Sequence, residues 1–420
     1  MISRILRRPQ PDHDAAAESR AHVLTRAVVL AASVPLLRAS AAGTTFAVRA
    51  ASAQRRGVEM VPDMPNPAPS LMLAASVALD ELLMLSMGVL GSISSQADYG
   101  RGSSELDDAV RFYDANGWLD DAAGYFEAPP SPRDVTIETA QHRRGPLEVL
   151  RFESAWEPRA AEPGGDRWLA CLANREVHAT MLRHDDGPRP WLVCVHGQGM
   201  GRRTDLEFFR LRRLHEELGI NVLVPVLPLH GPRRAGARQD QHFVSNVYPV
   251  NNVLGLAQSA WDLRRCLAWL REHEGASTVG LFGFSLGSYV GSLVSTLDDD
   301  LACIVSVVPS GDLAEALRTS EPGLPSKRRA HRELHDERSD LVHGVVSPLT
   351  RPCRVPKERR FIVAGQGDRI AVPAGATQLW RHWEEPSIKW RPRGHVTTAW
   401  SADYDNHLIE ILRASDVAIA

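Results

Sequence analysis

The sequence predicts an α/β fold, with a mostly parallel central sheet covered by helices on both faces. From about residue 133 onward, short apolar runs rich in Val, Ile and Leu alternate with longer segments of helical periodicity. Strands of that composition are typical of a parallel sheet buried on both sides. The 420 residues are 44% hydrophobic and 24% charged, which is ordinary for a globular protein and sufficient for a large core.

Three regions divide the chain by composition. Residues 1–58 form an Ala/Arg-rich N-terminal extension whose composition allows disorder, and residues 59–132 form a helical segment that opens with a proline-rich linker. Residues 133–420 form the α/β domain. Two of its connections, 231–252 and 310–357, are unusually long, and the second predicts a cap or lid insertion at the functional edge of the sheet.

The predicted strands of the α/β domain are short apolar segments separated by turn residues or helices. The first two, 149–155 and 176–184, lack a helix between them, so we expect an antiparallel start to the sheet. The other strands are predicted at 191–195, 221–226, 278–282, 301–308, 360–364 and 388–391. Helices are predicted at 205–218, 253–274, 288–297 and 407–414.

The charge balance and the cysteines argue against several classes of protein. With 48 basic and 51 acidic residues the net charge is −3, so the chain lacks the basic footprint of a nucleic-acid-binding protein. Its 5 cysteines are odd in number and include no C-x-x-C pair, which predicts reduced thiols and no metal site. Reduced thiols are typical of a reducing compartment, and we expect a cytoplasmic protein.

Two apolar stretches near the N-terminus are candidates for targeting or membrane segments. The run 27–37 follows a long leader with several acidic residues, which matches an export signal poorly. The run 70–93 contains Asp80 and Glu81 near its middle, where two carboxylates would be costly in a bilayer. We therefore expect no membrane span, and a helix at 70–93 with one wet face that carries the carboxylates.

The sequence Gly-Phe-Ser-Leu-Gly at 283–287 is the segment that most directly indicates chemistry. It follows a predicted strand and opens a predicted helix. A serine on so sharp a turn holds its hydroxyl above the sheet edge, and the residues two before and two after it must be small, as Gly283 and Gly287 are. The helix N-terminus beneath Ser285 favours negative charge above it. The alternative is a turn whose glycines serve packing alone.

With its surroundings, this motif resembles the α/β-hydrolase superfamily, in particular its serine esterases and lipases, over about residues 140–415. An apolar strand runs into the sequence His-Gly-Gln-Gly, in which we expect His196 to brace the loop. In the family, this loop and the residue after the nucleophile each donate a backbone N–H to an oxyanion hole. The resemblance places these donors at Gln198 and Leu286, with Gly199 as the near alternative to Gln198.

The resemblance also assigns a catalytic triad. It implies Ser285 as the nucleophile, His395 just past the last strand as the general base, and Asp368 after a late strand as the acid that orients the histidine. The order Ser, Asp, His along the chain is the order of this fold. Asp312, which follows the preceding strand, is the reserve candidate for the acid.

The turn after the predicted strand 221–226 contains two further candidates. His230 and Arg233 lie where many α/β-hydrolases have a His-Gly or Gly-rich turn, and both are candidate substrate-binding residues. The alternative is a tight turn whose geometry is set by proline.

The resemblance implies a serine hydrolase that cleaves a carboxylic ester or thioester of a small molecule through an acyl-enzyme, with neither cofactor nor metal. Two other functions remain open at this point. An acyltransferase would pass the same acyl-enzyme to an alcohol or amine. A non-catalytic protein of this fold would act through partners, for which the long N-terminal region provides a surface.

Overall fold

The protein is described by a computed structural model that covers residues 13–91, 94–320, 322 and 324–419. Its strands form one sheet of nine in the order β1-β2-β3-β5-β4-β6-β7-β8-β9. These strands are β1 Thr136–Ala140, β2 Leu147–Glu153, β3 Glu176–Leu182, β4 Trp191–Val195, β5 Asn221–Pro225, β6 Val279–Phe284, β7 Cys303–Val307, β8 Arg360–Gly365 and β9 Ser387–Arg391.

The pairing of these strands confirms the predicted fold class. Strands β1, β2, β3 and β5 pair antiparallel in succession, whereas β5, β4, β6, β7, β8 and β9 pair parallel. The antiparallel part is one strand longer than predicted. Strand β1 escaped the sequence analysis because almost all of its side chains are exposed, so it lacks the apolar alternation that identifies a half-buried strand.

Helices cover both faces of the sheet. One hydrophobic cluster contains side chains of α3, α7 and α8, and a second cluster on the other face contains side chains of α6 and α13. The helices are α1 His13–Arg56, α2 Leu71–Gly91, α3 Gln96–Ala115, α4 Gly165–Leu169, α5 Asp205–Phe208, α6 Leu211–Leu218, α7 Pro249–His273, α8 Leu286–Val294, α9 Leu313–Thr319, α10 Pro325–Leu334, α11 Glu337–Gly344, α12 Pro373–His382 and α13 Ala402–Ala414.

The N-terminal region is helical and packs on the α/β domain. Where the composition of residues 1–58 allows disorder, the described part forms α1, which crosses α2 so closely that a Cβ on Gly43 would lie 2.3 Å from the carbonyl oxygen of Ala74. Helix α3 contributes fully buried Leu106 and Tyr113 to the main core. Among the described helices, none is long and apolar enough to cross a membrane.

The connection between β7 and β8 is the segment predicted to form a cap. It folds into α9, α10 and α11, and the last two pack against α3. The segment is therefore joined to the helical N-terminal region as well as to the sheet.

Candidate active site

Ser285 occupies a very sharp turn between β6 and α8. Its backbone angles, φ 56° and ψ −117°, are unusual for a residue with a side chain. A Cβ on Gly283 would lie 2.3 Å from the carbonyl oxygen of Gly287, and a Cβ on Gly287 would lie 2.0 Å from that of Val195. Both positions therefore require glycine for the turn to close, which is the physical reason for the spacing of the motif.

The structure brings Ser285, His395 and Asp368 together at the carboxyl edge of the sheet. The Ser285 hydroxyl lies 2.9 Å from Nε2 of His395, and Nδ1 of His395 lies 2.7 Å from Oδ2 of Asp368. The second oxygen of Asp368 accepts the backbone N–H groups of Ile370 and Ala371, each at 2.8 Å. In this series of hydrogen bonds, Asp368 orients the ring of His395 and the ring orients the hydroxyl of Ser285, as nucleophilic catalysis requires.

Asp312, the reserve candidate for the acid, lies elsewhere. Its side chain caps α9 by accepting the backbone N–H of Glu315 at 3.2 Å. The carboxylate that contacts the ring of His395 is that of Asp368.

The electrostatics of His395 are set by two carboxylates. Burial lowers the pKa of His395, but the charge and hydrogen bond of Asp368 and the charge of Asp80 raise it, and the net direction is upward. Because the ring is only 4% exposed, these charges act with little screening by water. The imidazolium that forms when the ring accepts a proton is therefore stabilised.

Asp80 of α2 is a residue at this site that the sequence analysis did not identify. Its Oδ2 accepts the backbone N–H of His395 at 2.6 Å and that of Arg369 at 3.2 Å.

The prediction that α2 has a solvent-exposed face carrying its carboxylates is wrong, because Asp80 is 0% and Glu81 5% exposed. Glu81 instead pairs with Arg38 of α1 at 3.0 Å and with Arg369 at 3.7 Å. The signal in the sequence was two adjacent acidic residues inside an otherwise apolar helix.

The predicted oxyanion donors flank the serine. Leu286 is the first residue of α8, and a Cβ on Gly197, the neighbour of Gln198, would lie 3.2 Å from Cβ of Ser285. Among the described residues, neither the N–H of Gln198 nor that of Leu286 has a hydrogen-bond acceptor. Two free donors beside a serine can stabilise a negatively charged oxygen.

His196 braces the loop that carries Gln198. Its Nδ1 lies 2.8 Å from the carbonyl oxygen of Gly197, and its Nε2 accepts the backbone N–H of Leu227 at 3.1 Å. Burial lowers the pKa of His196 to about 4, so the ring is neutral and fits one donor and one acceptor role. It thereby ties the loop after β4 to the loop after β5.

The two candidate substrate-binding residues differ in their placement. The prediction for Arg233 is wrong, because its side chain is 0% exposed and pairs with Asp262 of α7 at 2.8 Å. The same guanidinium donates to the carbonyl oxygens of Val226 and Asn174, so both of its terminal nitrogens are bound inside the protein. The ring of His230, by contrast, lines a cavity, and its Nε2 lies 3.0 Å from Oε1 of Gln198.

This cavity of about 470 Å³ lies at the carboxyl edge of the sheet, beside the loop of Gln198. Its lining is rich in nitrogen-bearing side chains and includes His178, Gln198, Arg202, Arg203, His230 and Arg234. In the part of the chain that the structure describes, no group of three His, Cys, Asp or Glu side chains could hold a metal ion.

Comparison with known proteins places the chain in a family. No family model matches it. An uncharacterized protein of Mycobacterium tuberculosis strain CDC 1551 / Oshkosh is 40% identical over 339 residues, which cover 79% of this chain and 80% of the relative. A second, from strain ATCC 25618 / H37Rv, is 39% identical over the same shares. The chain belongs to the family of these two mycobacterial proteins.

Solved structures that resemble the chain have low sequence identity. Acetyl xylan esterase 1 of Thermoanaerobacterium sp. JW/SL YS485 is 12% identical, with a TM-score of 0.44 over 77% of this chain and 99% of that one. The acetyl xylan esterase of Paenibacillus sp. R4 is 14% identical, with a TM-score of 0.45 over 74% and 95%. The chain has the α/β-hydrolase fold by its own features, which are the mostly parallel sheet, the sharp turn at Ser285 and the order Ser, Asp, His.

Proposed function

We propose that the protein is a serine hydrolase that cleaves a carboxylic ester or thioester through an acyl-enzyme. The observation that carries the proposal is the 2.9 Å separation of the Ser285 hydroxyl from Nε2 of His395, whose other nitrogen lies 2.7 Å from Asp368. A nucleophile, a base and a group that orients the base, in hydrogen-bond contact at a sharp strand-to-helix turn, are the parts that acyl transfer needs.

The proposed reaction has two halves. In the first, His395 removes the proton of Ser285 while the serine oxygen attacks the acyl carbon, and the protonated ring then donates that proton to the departing alcohol or thiol. In the second, His395 takes a proton from water, whose oxygen attacks the acyl-enzyme, and returns the proton to Ser285. Asp368 holds the ring in the required tautomer throughout.

The tetrahedral intermediate of each half carries a negatively charged oxygen. We propose the backbone N–H groups of Gln198 and Leu286 as its hydrogen-bond donors, because both are free and adjacent to the serine. Each such donor is worth about 3 kcal/mol of the barrier. All proposed steps use side chains and amides of this chain together with substrate and water.

A fluorophosphonate probe tests the nucleophile without knowledge of the natural substrate. We expect covalent labelling of the wild-type protein at Ser285, loss of labelling in Ser285→Ala, and normal labelling in the control Ser310→Ala. Absence of labelling in the folded wild-type protein, or equal labelling of Ser285→Ala, would contradict the proposal. Product analysis with an added alcohol or amine then distinguishes hydrolysis from acyl transfer.

A further inference from the structure

We infer that Asp80, which lies in the helical segment before the α/β domain, is a positioning residue for the proposed catalytic base. The inference rests on the proposed function. Its observation is that the Asp80 carboxylate accepts the backbone N–H of His395 at 2.6 Å and that of Arg369, the neighbour of Asp368, at 3.2 Å. One side chain thereby fixes both loops that carry the base and its acid.

The approach of α2 to these loops is unusually close. A Cβ on Gly394 would lie 2.5 Å from Oδ2 of Asp80 and 2.8 Å from the carbonyl oxygen of Ser76. A Cβ on Gly367 would lie 2.8 Å from the side chain of Leu73. The residue before His395 and the residue before Asp368 are thus both glycines against which α2 packs.

Burying the charge of Asp80 costs free energy, which a residue that only anchored α2 to the two loops would not need to incur. The side chain is 0% exposed, and its Oδ1 has no hydrogen-bond partner among the described residues. The ion pairs of this part of α2 belong instead to Glu81, with Arg38 and Arg369. The titratable groups that face Asp80 are Asp368 and His395. A second carboxylate beside the pair of Asp368 and His395 stabilises the imidazolium that forms in each proton transfer.

The variant Asp80→Asn tests this role, with Glu81→Gln as the matched control on the same helix. In the wild-type protein, the pKa of His395 is measured by NMR of the labelled imidazole and by the pH dependence of fluorophosphonate labelling. We expect Asp80→Asn to lower that pKa by about 1 unit and to slow labelling about tenfold. Asp80→Glu should recover part of both effects, and Glu81→Gln should change neither.

An unchanged pKa and pH profile in Asp80→Asn, with only the melting temperature altered, would overturn the inference and leave Asp80 as an anchor. If Asp80→Asn does not fold, the wild-type NMR titration decides, because the His395 signal should show a second inflection near the Asp80 pKa of about 6. A protein that is not labelled at all would contradict the proposed function, while the NMR titration would still report on Asp80.

The basic cavity carries a second, independent inference. Arg202, Arg203 and Arg234 line it, and none of the three forms an ion pair within the described ranges of the chain. The carboxylate in the lining, Asp205, accepts the backbone N–H groups of Gly201 at 2.7 Å and Arg202 at 3.1 Å. These three guanidinium groups therefore outnumber the one carboxylate of the lining, and the cavity has an excess of positive charge.

The cavity lies within reach of the proposed nucleophile. It lies above the end of β5, which is two places from β6 in the sheet, and strands are about 4.8 Å apart. An anion in the cavity would thus lie on the order of 10 Å from Ser285. We propose that the cavity binds a carboxylate or phosphate group of the substrate, several bonds away from the scissile carbonyl. This too rests on the proposed function.

A matched pair of esters tests the anion site. The 4-nitrophenyl monoester of suberic acid and 4-nitrophenyl octanoate differ only in a terminal carboxylate in place of a methyl group. We expect wild-type kcat/KM to favour the suberate ester, and the double variant Arg203→Gln, Arg234→Gln to lower the ratio of suberate to octanoate kcat/KM about tenfold or more. The control is Arg111→Gln, an exposed arginine of α3. Inorganic phosphate should compete only with the suberate ester if the site also accepts phosphate.

Equal preference in the wild type and the double variant would overturn the anion site. Calorimetric binding of free suberate to the wild type and to the double variant gives an answer that does not depend on turnover. Suberate binding without ester hydrolysis would contradict the proposed function alone, and hydrolysis without suberate binding would contradict the anion site alone.

Discussion

At the scale of single residues, Ser285 combines backbone strain with a half-buried position at the edge of the sheet. A non-glycine residue at φ 56° and ψ −117° is held there by the glycines on either side and by the start of α8. Such strain is acceptable where it presents a reactive group, and the surrounding buried strands supply the stability that maintains it.

The triad residues should be far more sensitive than their neighbours. We predict that Ser285→Ala and His395→Ala each lower ester turnover by roughly 10³-fold or more without unfolding the protein. Asp368→Asn should be much more damaging than Asp312→Asn, since Asp312 caps a helix. Steady-state rates together with thermal melts measure both. Near-normal turnover in Ser285→Ala, or the reverse order of the two aspartates, would refute the assignment.

The glycine at 287 should be indispensable for folding of the turn. Gly287→Ala would place a methyl group 2.0 Å from the carbonyl oxygen of Val195, and we expect it to lower the unfolding free energy by about 3 kcal/mol or more. Gly291→Ala, one turn further along α8, meets nothing closer than 3.6 Å and should be neutral or stabilising. Urea unfolding of the two variants measures the difference; equal effects would count against the geometry of the turn.

The ionisation of Asp80 should oppose folding. Burial, followed by the charge of Asp368, raises the pKa of Asp80 from 3.8 to about 6. A raised folded-state pKa means that this residue's stabilising contribution is complete below about pH 4 and is lost as the pH rises through about 6. Relative to Asp80→Asn, the wild type should lose up to about 3 kcal/mol of unfolding free energy between pH 4 and pH 7. Urea unfolding of both proteins across this pH range measures the effect, and a difference in unfolding free energy that does not change with pH would contradict the prediction.

At the scale of elements, helix α2 is attached in two ways, by its contact with α1 and by its contact with the loops of Asp368 and His395. Gly43 provides the first, and Asp80 the second. Only the second contact reaches the site directly, so mutations at the two contacts should have different effects on activity.

We predict that Gly43→Val pushes α1 away from α2 and leaves ester turnover nearly intact. A side chain at this position would overlap the carbonyl oxygen of Ala74, so α1 should become accessible to protease. Limited proteolysis followed by mass spectrometry locates the cuts, with Gly100→Ala in α3, where no atom lies within 4 Å, as the control. A parallel collapse of activity would mean that α1 also supports the site.

The elements that sequence patterns predicted well are the fully buried ones. Strands β4, β6 and β7 are buried along their whole length and almost entirely apolar, so their positions follow from burial alone. The motif around Ser285 was readable because its turn restricts side-chain size locally. The role of Asp80 was not readable, because it depends on a contact with His395, 315 positions away, and helical periodicity alone assigns the adjacent carboxylates of α2 to solvent. Arg233 was misread because a buried ion pair with Asp262 leaves no local pattern.

At the scale of the whole molecule, the core encloses every thiol of the chain. All five cysteines are free and buried, and burial raises the pKa of Cys303 to about 11. We predict that iodoacetamide leaves the native protein unmodified at neutral pH and alkylates all five cysteines in urea. Mass spectrometry counts the adducts. Rapid alkylation of one cysteine in the native state would show that its surroundings open.

The bond between Asp80 and the backbone of His395 joins positions 315 apart. A growing polypeptide leaves the ribosome with α2 long before the loop that α2 must hold has been synthesised. Until then, a buried carboxylate and its apolar neighbours have nothing to dock against. The proposed site is therefore complete only late in biosynthesis, after His395 has been synthesised and has met α2, and we expect a fragment that stops before β9 to lack the proposed activity.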